Sequence, residues 1–168
     1  TFSTYTKENG KLQSNDITSL FYTDDGNRML IGSSEGLIIM QLSSHDMNYY
    51  TGNSTNLKTF TNNYITQVYY DSRQLVWVGT REGLNVLNLS NDTLNYITEK
   101  NGLCNNSICG ITEDRNNNIW VTTNNGVCRI VVQRNHEDGN YSYNLYNYNT
   151  SDGLQSNEFN NGSIMTTR

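Results

Sequence analysis

The chain has 168 residues and a net charge of −5, with 35% hydrophobic and 16% charged residues, 13 Gly and no Pro. An acidic chain of this kind lacks the basic patch that nucleic acid or an anionic membrane surface requires, and no apolar run approaches the roughly 18 residues that mark a membrane-spanning helix. Mean hydropathy is low, −0.68, but disorder needs low hydrophobicity together with high net charge, and the polarity here comes from Asn, Ser, Thr and Tyr, which suit strands, turns and wet surfaces.

In chain order, residues 1–10, TFSTYTKENG, read as the last strand of a repeat that begins before Thr1. Three phrases then follow in register: ITSLFYTDDGNRMLIGSSEGLIIMQL at 17–42, ITQVYYDSRQLVWVGTREGLNVLNL at 65–89 and ICGITEDRNNNIWVTTNNGVCRIVV at 108–132. Leu30, Trp77 and Trp120 share one column, and six residues later each copy has a Gly, namely Gly36, Gly83 and Gly126. The two Trp are 43 residues apart and Leu30 precedes Trp77 by 47. Self-similarity at such a period marks a repeat architecture. LQSN at 12–15 returns at 154–157, with LCNN at 103–106 between them, so a fourth repeat is expected to begin near Phe159.

Each repeat reads as four short strands. In the second copy they fall at about 65–70, 75–80, 84–89 and 94–98, with Asp71, Ser72 and Arg73, then Arg81, Glu82 and Gly83, as hairpin turns. The third copy has a longer connection at about 133–140 before a strand at 143–148. The second strand, LVWVGT, is apolar on both faces, so both must be covered. In a four-stranded sheet with short loops the cover must come from neighbouring sheets, which defines a β-propeller. A β-sandwich also has evenly spaced short strands, but it does not demand one strand–turn–Trp phrase in every repeat. The expected fold is therefore all-β, with propeller blades of four antiparallel strands in an incomplete ring: 1–10 from a preceding blade, blades at 11–61, 62–100 and 101–150, and 151–168 opening another. Leu30, Trp77 and Trp120 are the expected inter-blade residues.

The phrase GLCNNSICGITEDRNNNIWVTTNNGVCRI resembles the two-component regulator propeller repeat: a GL-x-x-N-x-(I/V) lead-in, I-x-x-D, an aliphatic–Trp pair, G-T and a closing G-(L/V). Residues 65–84 fit closely through Trp77, Gly79, Thr80, Gly83 and Leu84; the third copy departs at Thr122, where Gly is expected, and the first at Leu30, where Trp is expected. Residues 151–163, SDGLQSNEFNNGS, look like the lead-in to a late blade. The resemblance implies a piece of the periplasmic sensor region of a hybrid two-component histidine kinase, with an oligosaccharide as ligand, no catalysis in this segment, and the membrane reached only through other parts of the chain. Thr1 and Arg168 accordingly read as the bounds of a piece of a longer protein, and the missing signal peptide carries little weight. A propeller enzyme, such as a lyase or glycan hydrolase, and a protein-interaction scaffold are the alternative readings. Three blades do not close a ring, since propellers need about four or more. The end blades leave apolar faces open, so self-association is expected.

Other motifs carry little chemistry. GSSEG at 32–36 matches a hydrolase nucleophile pattern around Ser34, but a strand follows where that motif needs a helix. DRNNN at 114–118 opens like a calcium loop and lacks its Gly and bidentate Glu, so Asp114 is expected to bond locally in a turn. His45 and His136 have no partners at ligand spacing. Cys104, Cys109 and Cys128 are an odd set without C-x-x-C spacing, read as free thiols. No cofactor or metal is expected. The candidate ligand-binding residues lie in the loops of one propeller face: Arg81, Glu82, Asn105, Asn106, Asn124 and Asn125.

Overall fold

The computed structural model describes residues 2–52 and 59–165. Thr1, 53–58 within the first expected blade and 166–168 in the last lie outside the described residues. Three four-stranded antiparallel sheets form in sequence order. The first holds β1 (Ile17–Tyr22), β2 (Arg28–Ser33), β3 (Gly36–Gln41) and β4 (Met47–Tyr50). The second holds β5 (Ile65–Tyr70), β6 (Leu75–Thr80), β7 (Leu84–Asn88) and β8 (Thr93–Ile97), and the third β9 (Ile108–Glu113), β10 (Ile119–Thr123), β11 (Gly126–Arg134) and β12 (Tyr141–Tyr148). Each sheet is a simple meander, and the sheets are propeller blades without a closed ring. In the third blade the ladder extends to Arg134 opposite Tyr141, so the long connection of the sequence reading shrinks to a hairpin.

Stacking of the blades explains the doubly apolar second strand. Val76 and Val78 of β6 join Leu30, Leu37, Ile39, Ile65 and Val68 in a core between the first and second blades. Leu75 and Trp77, on the opposite face of β6, join Ile108, Ile111, Ile119, Val121 and Ile130 in a core between the second and third. Both faces of one strand are thus spent on cores, as its lack of alternation demands. The innermost strands β1, β5 and β9 lie side by side.

The joint between blades depends on a cross-strand pair that always contains one glycine. Gly32 pairs with Ser19, Gly79 with Gln67 and Gly110 with Thr122. A Cβ on Gly32 would lie 2.8 Å from Ile65 Cγ2, one on Gly79 2.6 Å from Ile108 Cγ2, and one on Gly110 2.6 Å from Ile164 Cγ2. The first isoleucine of each following repeat is seated on the missing side chain. In the third blade the glycine has crossed from the second strand to the first, which accounts for Thr122 where the repeat pattern has Gly.

That joint also moves the start of the fourth repeat. Ile164, and not Phe159, occupies the place of Ile65 and Ile108, so residues 159–163 are an insertion in the lead-in. At the other end, residues 2–10, expected as a last strand, form no strand, and 7–10 are a turn.

Candidate functional site

Two loop sets make one face of the blade array: the hairpins between second and third strands, and the lead-ins between blades. Each hairpin repeats one device. Ser33, Thr80 and Thr123 accept from the backbone N–H of Glu35, Glu82 and Asn125 at 3.2, 3.0 and 3.1 Å, and donate to the carbonyls of Gly36, Gly83 and Gly126 at 3.0, 2.8 and 2.9 Å. The three glycines have φ of 137°, 133° and 102°, a region that side chains disfavour. GSSEG is the first of these hairpins, and Ser34 Oγ lies 2.9 Å from Ser14 Oγ.

The lead-ins repeat a second device. Asn15, Asn106 and Asn157 accept through their side-chain oxygens from the backbone N–H of Lys7, Glu99 and Thr150, each at 2.8 Å. Asn9, Asn101 and Asp152 accept from the backbone N–H of Thr6, Thr98 and Asn149 at 3.0, 3.0 and 2.9 Å. Residues 6–15 are therefore a lead-in of the same build as 98–106.

These devices sort the candidate residues. Asn105 and Asn106 are occupied in folding the lead-in: Asn105 donates to Glu99 Oε1 at 3.1 Å and accepts from Ser107 N–H at 3.0 Å. Glu82 and Asn125 are exposed hairpin tips. Arg81 and Asn124, from neighbouring blades, are brought together in a cleft of about 460 Å³ lined also by Thr66, Ser107 and residues 159–161. Arg81 is stacked with its guanidinium carbon 4.0 Å from the Tyr64 ring centre. Asn124 donates to Ser107 Oγ at 3.2 Å and accepts from the Cys109 thiol at 3.1 Å. The sequence reading missed Thr66, Ser107 and the 159–161 segment. The insertion between LQSN and Ile164 was the signal for the last of these.

Between the first two blades, a second cleft of about 330 Å³ on this face is lined by Lys7, Gln13, Glu35, Thr51 and Asn63.

The opposite face is a structural clamp. Asp71 Oδ2 accepts from the Trp77 indole N–H at 2.9 Å, and Asp114 Oδ2 from that of Trp120 at 2.8 Å. In the first blade, where the Leu30 side chain has no N–H to offer, Thr23 takes the aspartate's place, bonding Arg28 across the turn. Asp114 also accepts from the backbone of Asn116 and Asn118, both at 2.9 Å. Burial works against its ionisation, but the bonds from Trp120 and Asn118 outweigh it and hold the carboxyl below the usual carboxylate range. Arg73 pairs with Asp71 at 3.0 Å and reaches Glu113 of the next blade at 3.5 Å.

Leu30 and Trp77 are fully buried between blades. Trp120 is half-buried, stacked on Tyr148 at 5.7 Å, and faces the side where only Ile164 and Met165 of a further blade are described. The three thiols are free, and burial pushes that of Cys128 up to about 12. Among the described residues no cluster of His, Cys, Asp or Glu suits a metal ion, and no helix is long and apolar enough to cross a membrane.

Blade geometry and rim thus define a segment of a β-propeller. Residues 59–82 and 102–125, within the second and third copies, match the family model described as two component regulator propeller. The first copy, with Leu30 in the Trp column, lies outside the matched stretches. The chain is similar to the solved extracellular domain of an inferred hybrid two component system from B. thetaiotaomicron, with 25% identity and a TM-score of 0.78 over 99% of this chain and 21% of that one. A second such extracellular domain from the same organism is 22% identical, with a TM-score of 0.65 over 87% of this chain and 20% of that one. A catalytically inactive virginiamycin B lyase from Staphylococcus aureus shares the fold at 19% identity, with a TM-score of 0.53 over 79% of this chain and 42% of that one. The chain spans about a fifth of the length of the two extracellular domains. No curated protein matches it.

Proposed function

We propose that the chain is a segment of the extracytoplasmic, periplasmic ligand-sensing propeller of a hybrid two-component sensor histidine kinase, and that its ligand is an oligosaccharide. The observation that carries this reading is the pairing of the two-component propeller repeat at 59–82 and 102–125 with similarity along 99% of the chain to an extracellular domain of that receptor class. The segment itself is non-catalytic in this reading. Its inner strands present Thr, Gln, Gly and Ile rather than converging acid–base groups. The likeness to a lyase is one of fold, and fold does not carry activity.

Ligand bound at the loop face would bridge blades, favour one relative placement of them, and so shift the population passed to the kinase. The test is a reporter strain carrying the complete receptor, challenged with a panel of oligosaccharides, beside calorimetry on its ectodomain. An oligosaccharide that binds the ectodomain and switches the reporter supports the reading. A reading frame that ends after ring closure with no membrane helix overturns it and directs attention to a secreted enzyme or binding protein.

A further inference from the structure

We propose that the cleft between the second and third blades binds a sugar bearing a carboxylate, with Arg81 pairing that carboxylate; this rests on the oligosaccharide reading above. Among the described residues Arg81 is the one charged residue lining the cleft, in a chain whose net charge is −5. The other cleft on this face offers Lys7 and Glu35 together and has no such bias. The guanidinium lies over the Tyr64 ring, its carbon 4.0 Å from the ring centre, a contact with the ring face that leaves N–H groups at its edge to donate. No ion pair engages Arg81 among the described residues. A guanidinium fork held this way matches the two coplanar oxygens of a carboxylate.

The remaining lining groups are neutral and suited to hydroxyls. The Asn124 amide spends one hydrogen on Ser107 Oγ and keeps a second, and the Ser107 hydroxyl retains its own proton. Thr66 lines the wall but is 4% exposed, and its hydroxyl packs into the joint beside Gly79, so it shapes the wall. Phe159, brought to the wall by the insertion before Ile164, adds an aromatic surface of the kind that packs on a sugar ring. The volume of about 460 Å³ lies in the range of small-molecule sites, about 300–1,000 Å³, and suits one or two sugar rings.

The test is calorimetry and ligand-observed NMR on this chain with glucuronate and galacturonate, beside glucose, galactose and a sulfated glucose. The uronates are expected to bind at least about tenfold more tightly than the neutral sugars, the value of one charge-assisted hydrogen-bonded pair. Arg81→Gln, checked for its fold by circular dichroism, is expected to erase that preference, and Asn124→Ala to weaken uronates and neutral sugars alike. Equal affinity for neutral sugars, preference for the sulfated sugar, an unchanged preference in Arg81→Gln, or no uronate binding would each overturn the proposal. An oligosaccharide that drives the complete receptor with Arg81→Gln unaffected would sink this cleft and leave the sensor reading standing.

Discussion

The Asp–Trp pairs are where single residues decide stability. Trp77 is fully buried between two blades, so Trp77→Ala is expected to cost about 3–5 kcal/mol in urea unfolding. Trp120→Ala should cost less, because its ring is only half covered. Asp71→Ala strands the indole N–H of Trp77 and the backbone N–H of Leu75, which the carboxylate accepts at 2.9 and 2.8 Å, and should cost about 2–4 kcal/mol. A pH dependence belongs to Asp114. Its folded pKa is lowered, so its contribution is complete above the ordinary Asp value of about 3.9 and is lost as pH falls through the lower folded value. Acid titration of unfolding should show this loss, and Asp114→Asn should flatten the stability profile across that window. The Trp column and the turn role of Asp114 were legible from spacing. The bond to the indole was not, because a strand's reach back to its own turn is a fact of three dimensions.

At the level of the blade, the glycine-bearing cross-strand pair makes a sharp prediction. Gly79→Ala meets Ile108 Cγ2 at 2.6 Å and its Cβ at 2.9 Å, and should cost about 1–3 kcal/mol as overpacking. Gly110→Gln alone should be as damaging. Combined with Thr122→Gly it recreates the Gln67–Gly79 arrangement of the second blade, so the double variant should be more stable than the sum of the single changes by about 0.5–3 kcal/mol. A double-mutant cycle read by chemical denaturation measures that coupling. Sequence registration exposed Thr122 as a departure but not its compensation, since Gly110 lies twelve residues earlier and only strand pairing sets the two opposite each other. The same limit misplaced the fourth repeat: the LQSN marker aligned Phe159, whereas the seat on Gly110 selects Ile164. The candidate loop residues divided for a related reason. Asn105 and Asn106 looked like free amides in an Asn-rich tract, and backbone bonding had already engaged them.

At the largest scale, the three described blades are an open array. On the outer side of the first blade, Ile17 is 37% and Leu20 62% exposed, where their counterparts Ile65, Val68, Ile108 and Ile111 are at most 5%. The opposite end shows half-covered Trp120 beside Val127 and Met165. The two ends are of complementary kind, and a head-to-tail contact between copies would cover both. Light scattering coupled to gel filtration is expected to show concentration-dependent association, with an apolar dye bound at low concentration and released as mass rises. A monodisperse species that binds no dye would count against it. Leu20→Lys should shift the chain toward monomer without unfolding it, since that side chain has little cover to lose.

The shifting glycine has a consequence for how such chains diverge. What passes from copy to copy at each joint is a hollow of fixed shape, and either of two strands supplies it. A column-by-column comparison scores Thr122 as decay, although the vacancy it should have provided is intact one strand away. Copies within this one chain therefore differ by a paired exchange that leaves the joint unaltered, and the joint is better recognised by its hollow than by the letter in its column.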